Sequence, residues 1–209
     1  MEQIDADVAV IGGGPSGLAA AITAAEKGAK IILVEKGATT GGTGNMAMGP
    51  AAFESRLQKE KNVSLSRDQA FELHMKYTHW RVDARLVRKY IDLSGDTISW
   101  LENMGVDFFE VEEQFEGAHC THHNVAAADG GTSICAATNM MKVMDEQARK
   151  LGVNVLLRTK AAKILTNEDR VSGLIGEHQS GERIRIHARA VIIGTGGFGS
   201  NPEMVNNHT

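Results

Sequence analysis

Hydrophobic and polar positions change period several times along this chain, and each change predicts an element. Val8 to Ile11 is an unbroken apolar run rich in β-branched residues, the pattern of a short buried strand. Leu18, Ala21, Ile22 and Ala25 then recur at three- and four-residue intervals, which predicts a helix starting near Pro15. Gly28 ends it, and Ile31 to Val34 reads as the next strand. Leu65 to Met104 carries helical periodicity in three pieces. Ser66 and Gln69 fit a capping box for the first, through about Thr78. Asp83 caps the second, through about Leu93, and Gly105 closes the third.

Val106 to Asp129 has no period and reads as irregular. Asp129 to Ser133 then turns into a helix through about Lys150, with Ala136, Met140, Val143, Met144 and Leu151 as its core face and Gly152 as its stop. Val153–Arg158, Ala161–Leu165, Val171–Glu177 and Glu182–His187 read as strands. The short polar links between the last three make them a β-meander. Ala190 to Ile193 predicts one more buried strand, followed by GTGGFG and the start of a helix capped by Ser200 or Asn201, with Pro202 in its first turn.

The first strand, helix and second strand carry chemistry. Gly12, Gly14 and Gly17 give the spacing G-x-G-x-x-G between the strand and the helix. In that arrangement the first glycine allows a tight turn, the second lets backbone approach a pyrophosphate, and the third lets helix pack on strand. The phosphates meet free N–H groups and the positive end of the helix. Glu35 stands 23 residues after Gly12 at the end of the second strand, where an acid binds ribose hydroxyls. A glycine-rich βα turn that binds nothing explains the glycines less well and leaves Glu35 without a role. The unit predicts a bound dinucleotide.

Composition narrows the class. At 209 residues the chain has room for one domain with a real core, or two small ones. With 23 glycines and 3 prolines it suits tight turns around a ligand better than disorder. A net charge of −4 points to neither nucleic acid nor an anionic membrane. Val8 to Ala25 is uncharged, but consecutive glycines and Pro15 interrupt it, and the acidic residues before it have the wrong sign for a signal peptide. Cys120 and Cys135 form no C-x-x-C, which suits a reducing, cytoplasmic setting and argues against a disulfide reductase.

Two further stretches hold candidate residues. Lys36 to Ser55 is a long glycine loop, containing Gly41, Gly42, Gly44 and Gly49, placed directly after the acid; it reads as running along the cofactor or as a surface connection. His119, Cys120, His122 and His123 invite a zinc reading, but their spacing fits no closed site and no second ligand group follows. A polar loop facing a substrate cavity and a solvated loop without a role both remain. Thr195, Gly196 and Gly197 read as a second close backbone approach to the same cofactor.

In order and content, VIGGGPSGLAAAITAAEKGAKIILVEK, TTGGTGNMAMGP, ISWLENMGVDF, the helix after DGG, the meander and VIIGTGGFGSNPEM resemble the FAD-dependent fumarate reductase and succinate dehydrogenase flavoprotein family, which includes urocanate reductases and 3-ketosteroid dehydrogenases. The resemblance covers essentially the whole chain. It implies an α/β doubly wound, Rossmann-like parallel sheet crossed by a β-meander. It also implies that Gly12, Gly14, Pro15, Ser16 and Gly17 surround the pyrophosphate, and that Glu35 holds the adenosine ribose with Lys36 beside it. Gly42, Thr43, Gly44, Met48 and Gly49 would run past the ribityl chain and flavin, Ala161 would meet adenine through its backbone, and Thr195, Gly196 and Gly197 would close over the cofactor.

The chain departs from the family in two ways. Some members attach FAD to a histidine in the glycine loop, and residues 37–50 contain none, so FAD is expected to be non-covalent. The capping domain that carries the family's catalytic and substrate-clamping residues would follow Thr209. The 209 residues therefore read as an incomplete FAD-binding domain without catalytic or metal residues, inactive alone and serving a small-molecule substrate in a longer enzyme. Apolar surface left by the missing half would favour a homo-oligomer. An NAD-dependent dehydrogenase using the same fingerprint, and a flavin module completed by another chain, are the alternatives.

Overall fold

The computed structural model describes residues 1–113, 116, 118–127 and 135–208. They form two compact units: Met1–Gly44 with Met144–Thr209, and Asn45–Val143.

The first unit is built on one six-stranded sheet. Its strands are β1 (Glu2–Ile11), β2 (Ile31–Val34), β5 (Asn154–Leu156), β6 (Thr159–Asn167), β7 (Arg170–His178) and β8 (Arg183–Ile193), in the order β5-β2-β1-β8-β7-β6. The β5, β2, β1 and β8 pairings are parallel, and those of β6, β7 and β8 antiparallel. Strand β8 serves both halves. Along its whole length it pairs β1, from Glu2 opposite Ile184 to Ile11 opposite Ile193, while its first half also pairs β7.

Although β5 and β6 stand at opposite ends of that order, only residues 157 and 158 separate them. The sheet must therefore curl, bringing the meander back over the parallel half. Ala9, Ile11, Ile32 and Val34 of the parallel half are buried with Leu174, Ile186 and Ala188 of the meander in one cluster. Helix α1 (Pro15–Glu26) contributes the buried residues Leu18, Ala21 and Ile22.

In the second unit, α2 (Arg56–Glu60), α3 (Arg67–Tyr77) and α4 (Ala84–Met104) accompany a hairpin of β3 (Phe108–Glu113) and β4 (Cys120–Val125). Leu65, Ala70 and Ile91 form one buried cluster there, with Phe53, Val63, Phe71 and Val87 packed against it. The boundary between units falls within α5 (Ala137–Lys150), and the chain ends in α6 (Pro202–His208).

Several expectations are corrected. The second and third helices of the 65–104 region are one helix, α4. Its Ser94–Gly95 dipeptide, which reads as a break, is a packing site: Ser94 Oγ donates to Ile91 O at 2.8 Å and accepts the Phe53 amide at 3.0 Å. A Cβ on Gly95 would stand 2.7 Å from Phe53 O, so only glycine lets the chain pass there. Residues 106–129 are not irregular throughout but contain the β3–β4 hairpin. Glu182–His187 and Ala190–Ile193 are one strand, and Ile192 and Ile193 at its end are exposed rather than buried. Strand β1 begins at Glu2, so the acidic start of the chain is part of the sheet. Asp129 to Ser133 lie outside the described residues.

Candidate functional site

The glycine fingerprint separates into residues that hold the fold and one that faces open space. Gly12 has φ +98°, and its amide donates to Val34 O at 2.8 Å, which turns the chain out of β1. A Cβ on Gly12 would lie 2.5 Å from Gly194 O, and one on Gly17 would lie 1.8 Å from Gly12 O. Gly194, whose amide donates to Ile11 O, closes the cluster: a Cβ there would stand 3.0 Å from Gly17 Cα. These three glycines are required by backbone-to-backbone packing.

Gly14 is different. It is the N-cap of α1 with φ −75° and ψ −175°, an extended conformation open to any residue and usual before proline. A Cβ there would meet nothing within 4 Å. Pro15 occupies the first turn, no side chain caps α1, and no acid stands in its first turn. The positive end of α1 thus lies beside open space with Ser16 exposed next to it.

Glu35 leaves the end of β2 and turns back onto the same loop. Its Oε2 accepts the Gly13 amide at 2.6 Å and its Oε1 accepts the Gly37 amide at 2.7 Å. A carboxylate has about four acceptor sites, so two remain for a diol. The Glu35 amide donates to Leu156 O, and its carbonyl accepts from Thr159 N, which fixes the acid between β5 and β6.

The glycine loop begins against this turn. Gly41 N donates to Gly13 O at 2.7 Å, and a Cβ on Gly42 would lie 3.5 Å from Gly14 Cα. Backbone from two loops therefore borders the same space. Gly42 and Thr43 are exposed, and the 3-10 turn Gly42–Met46 carries the chain into the second unit. Lys36 joins Thr195, Gly196, Gly197, Phe198 and Asn201 around a cleft of about 690 Å³. Ala161 pairs with Gly176, and the register shifts between Ala161 and Lys163, a bulge that interrupts regular backbone pairing.

Met48 and Gly49 belong to the second unit. Met48 O accepts the Val125 amide at 3.1 Å, and a Cβ on Gly49 would lie 1.8 Å from His123 O. That contact with β4 is sufficient reason for a glycine at 49.

The HCTHH stretch is not a solvated loop: His122 and His123 are buried on β4. Neighbouring strand residues face opposite ways. His123 Nδ1 contacts Thr121 O at 2.9 Å and its Nε2 contacts Ser55 Oγ at 2.6 Å. With the proton on Nδ1 donated to Thr121 O, Nε2 accepts from the Ser55 hydroxyl. His122 lies opposite Glu112. Burial pushes both imidazoles below the ordinary histidine range, opposed at His122 by Glu112. Among the described residues no group of three or more His, Cys, Asp or Glu side chains is arranged to hold a metal.

Sequence reasoning passed over Gly13, Thr40 and Asp145. Gly13 is buried, and a Cβ on it would stand 3.1 Å from Thr40 Cγ2 and 3.3 Å from Glu35 Cβ. The middle glycine of GGGPSG was the available signal. Nothing local marks Asp145, which meets Thr40 only through the fold.

The sequence matches the FAD binding domain family over residues 7–209. The chain belongs to that family. FAD, rather than NAD, is accordingly the cofactor of this FAD-binding domain, and the fold is that of fumarate-reductase-type flavoenzymes. It is 34% identical over 205 residues to vinyl phenol reductase of Lactiplantibacillus plantarum, a match spanning 97% of this chain and 40% of that protein. It is 30% identical over 200 residues to NADH:fumarate oxidoreductase of Klebsiella pneumoniae, covering 95% of this chain and 21% of the other. Among solved structures, the open conformation of a flavocytochrome c3 fumarate reductase matches with a TM-score of 0.87 at 26% identity, over 98% of this chain and 36% of that one. The FAD-binding domain thus spans two-fifths or less of the length of these relatives. No helix among its described residues is long and apolar enough to cross a membrane.

Proposed function

We propose that this chain is the FAD-holding portion of a flavin-dependent reductase of fumarate reductase type. In this reading both units belong to one FAD-binding domain, and the cofactor is bound without a covalent link. When bound, FAD supplies hydride transfer at N5 to an activated carbon–carbon double bond, in an unsaturated acid or enone. The chain's own residues bind and orient. The N–H groups at the start of α1, with Pro15 and Ser16, face the pyrophosphate. Glu35 accepts hydrogen bonds from the adenosine ribose with Lys36 beside it, and the backbone at the Ala161 bulge meets adenine. Gly42, Thr43, Gly44, Met48 and Gly49 line the path of the ribityl chain and flavin, and Thr195, Gly196 and Gly197 close over the cofactor.

The observation that carries this reading is the open space at Gly14. It is bordered by an uncapped helix start, by Gly42 backbone, and nearby by a carboxylate with acceptor sites to spare. The names of the relatives, reductases of vinyl phenol and fumarate, support a carbon–carbon double bond as the reducible group. No residue of the 209 is assigned as an acid–base catalyst, and turnover without further protein is not expected. We place the protein in the cytoplasm and expect self-association of the isolated chain.

Titration of purified protein with FAD and with NADH separately tests the reading. The expected result is saturable FAD binding, release of intact FAD on denaturation, and no comparable NADH affinity. Tight NADH binding without FAD binding would overturn it.

A further inference from the structure

Thr40 stands at the root of the glycine loop and has no place in the dinucleotide fingerprint. Its hydroxyl donates to Asp145 Oδ1 at 3.0 Å, across 105 residues of chain. Asp145 is itself fixed one turn along α5 by Arg149, whose Nε meets Oδ2 at 2.7 Å and whose Nη2 meets Oδ1 at 3.4 Å. Thr40 is confined on its other side as well. Its Cγ2 fills the space a side chain on Gly13 would need, and the next residue, Gly41, donates to Gly13 O at 2.7 Å. The root of the loop is thereby pinned between α5 and the glycine turn.

The residues beyond that root are Gly41, Gly42, Thr43 and Gly44, and Gly42 has φ +51°. Such a run loses more conformational freedom on ordering than almost any other sequence. If the cofactor had to order it, that loss would come out of binding affinity; a loop ordered in advance avoids it. An ion-paired carboxylate is also a stronger acceptor for the Thr40 hydroxyl than a neutral group.

We infer that Asp145 is a positioning residue for the dinucleotide, acting through Thr40 to hold the root of the glycine loop against the glycine turn before FAD arrives. This rests on the FAD reading above. It differs from the fingerprint in kind, since Asp145 acts on the loop and not on the cofactor.

A double-mutant cycle tests it, with Thr40→Val, Asp145→Ala and the pair, read as FAD affinity by flavin fluorescence. Each single change is expected to weaken FAD roughly tenfold. The pair should be no weaker than the worse single, because either change opens the same clasp. Thr40→Ser, which keeps the hydroxyl, should bind as the parent does. ADP affinity should stay near the parent's in every variant, which a general loss of stability would not produce. Additive losses, or equal losses for ADP and FAD, would overturn the inference.

Hydrogen–deuterium exchange without any ligand provides a second reading. The Gly41 and Gly44 amides, which donate to Gly13 O and Gly41 O, should exchange faster in Asp145→Ala and Thr40→Val. Unchanged protection would also overturn the inference. If the parent bound no FAD, the functional reading would fall, and the cofactor half of this inference with it. The exchange rates alone would then decide whether Asp145 holds the loop.

Discussion

Glu35 and Gly13, 22 residues apart, are joined by a 2.6 Å hydrogen bond in which the Gly13 amide donates to Oε2. The other oxygen takes the Gly37 amide. The acid therefore organises two loop amides before it meets any ligand. Glu35→Gln keeps one acceptor oxygen and puts an NH2 where the other was, so one backbone N–H loses its partner. FAD affinity, measured by fluorescence titration, is expected to fall about tenfold or more, with a drop of about 1–2 kcal/mol in stability. A Gln variant with parental affinity would mean that the carboxylate serves the loop alone.

Gly17→Ala tests the packing half of the fingerprint. The added carbon would stand 1.8 Å from Gly12 O and 2.9 Å from Gly12 C, backbone atoms with no rotamer to change. The variant is expected to lose at least about 3 kcal/mol or to fail to fold, whether or not FAD is present. A urea melt close to the parent's would show that β1 and α1 can separate freely.

Gly95→Ala reverses the usual sign of a helix substitution. Alanine in place of glycine inside a helix normally adds about 1 kcal/mol. Here the Cβ would lie 2.7 Å from Phe53 O, beneath the segment that Ser94 also binds. Destabilisation of about 1–3 kcal/mol is expected in thermal denaturation. A higher melting temperature would contradict the contact.

Acid should destabilise the fold through His122 and His123 before most carboxylates titrate. Burial holds both imidazoles neutral in the folded chain, with values below the ordinary 6.5. The unfolded chain therefore binds more protons as pH falls through about 6.5. Stability from these residues is present above that pH and is lost between it and the depressed folded values. Urea midpoints should fall between pH 7.5 and 5.5, and His123→Gln should flatten the slope. An unchanged slope would place the titration elsewhere.

The strand–turn–helix–strand unit was legible because its reasons are local. Gly12 needs a positive φ, Pro15 suits a first helical turn, and Ile31–Val34 is an unmixed β-branched and leucine run. The Ser66–Gln69 capping box and the Asp83 cap were legible for the same reason. What the sequence concealed depends on distant partners. Ser94–Gly95 looks like a helix break until Phe53 is brought beside it. HCTHH looks like a wet loop until Ser55 and Thr121 O satisfy the His123 ring. Strand β8 looks like two pieces because its second half loses the β7 partner while keeping β1. At the candidate site, Glu35 was legible and Asp145 was not, since Thr40 reaches it only in the folded chain.

Gly14 separates ligand from fold most cleanly, because its backbone is ordinary and a side chain there meets only open space. The decisive measurement is FAD binding by Gly14→Val beside the parent, with circular dichroism and urea midpoint as controls for folding. The expected result is a variant that folds with parental stability and binds FAD at least about a hundredfold more weakly, its side chain occupying the pyrophosphate's place. A folded Gly14→Val protein that takes up FAD as the parent does would show that the cofactor lies somewhere else.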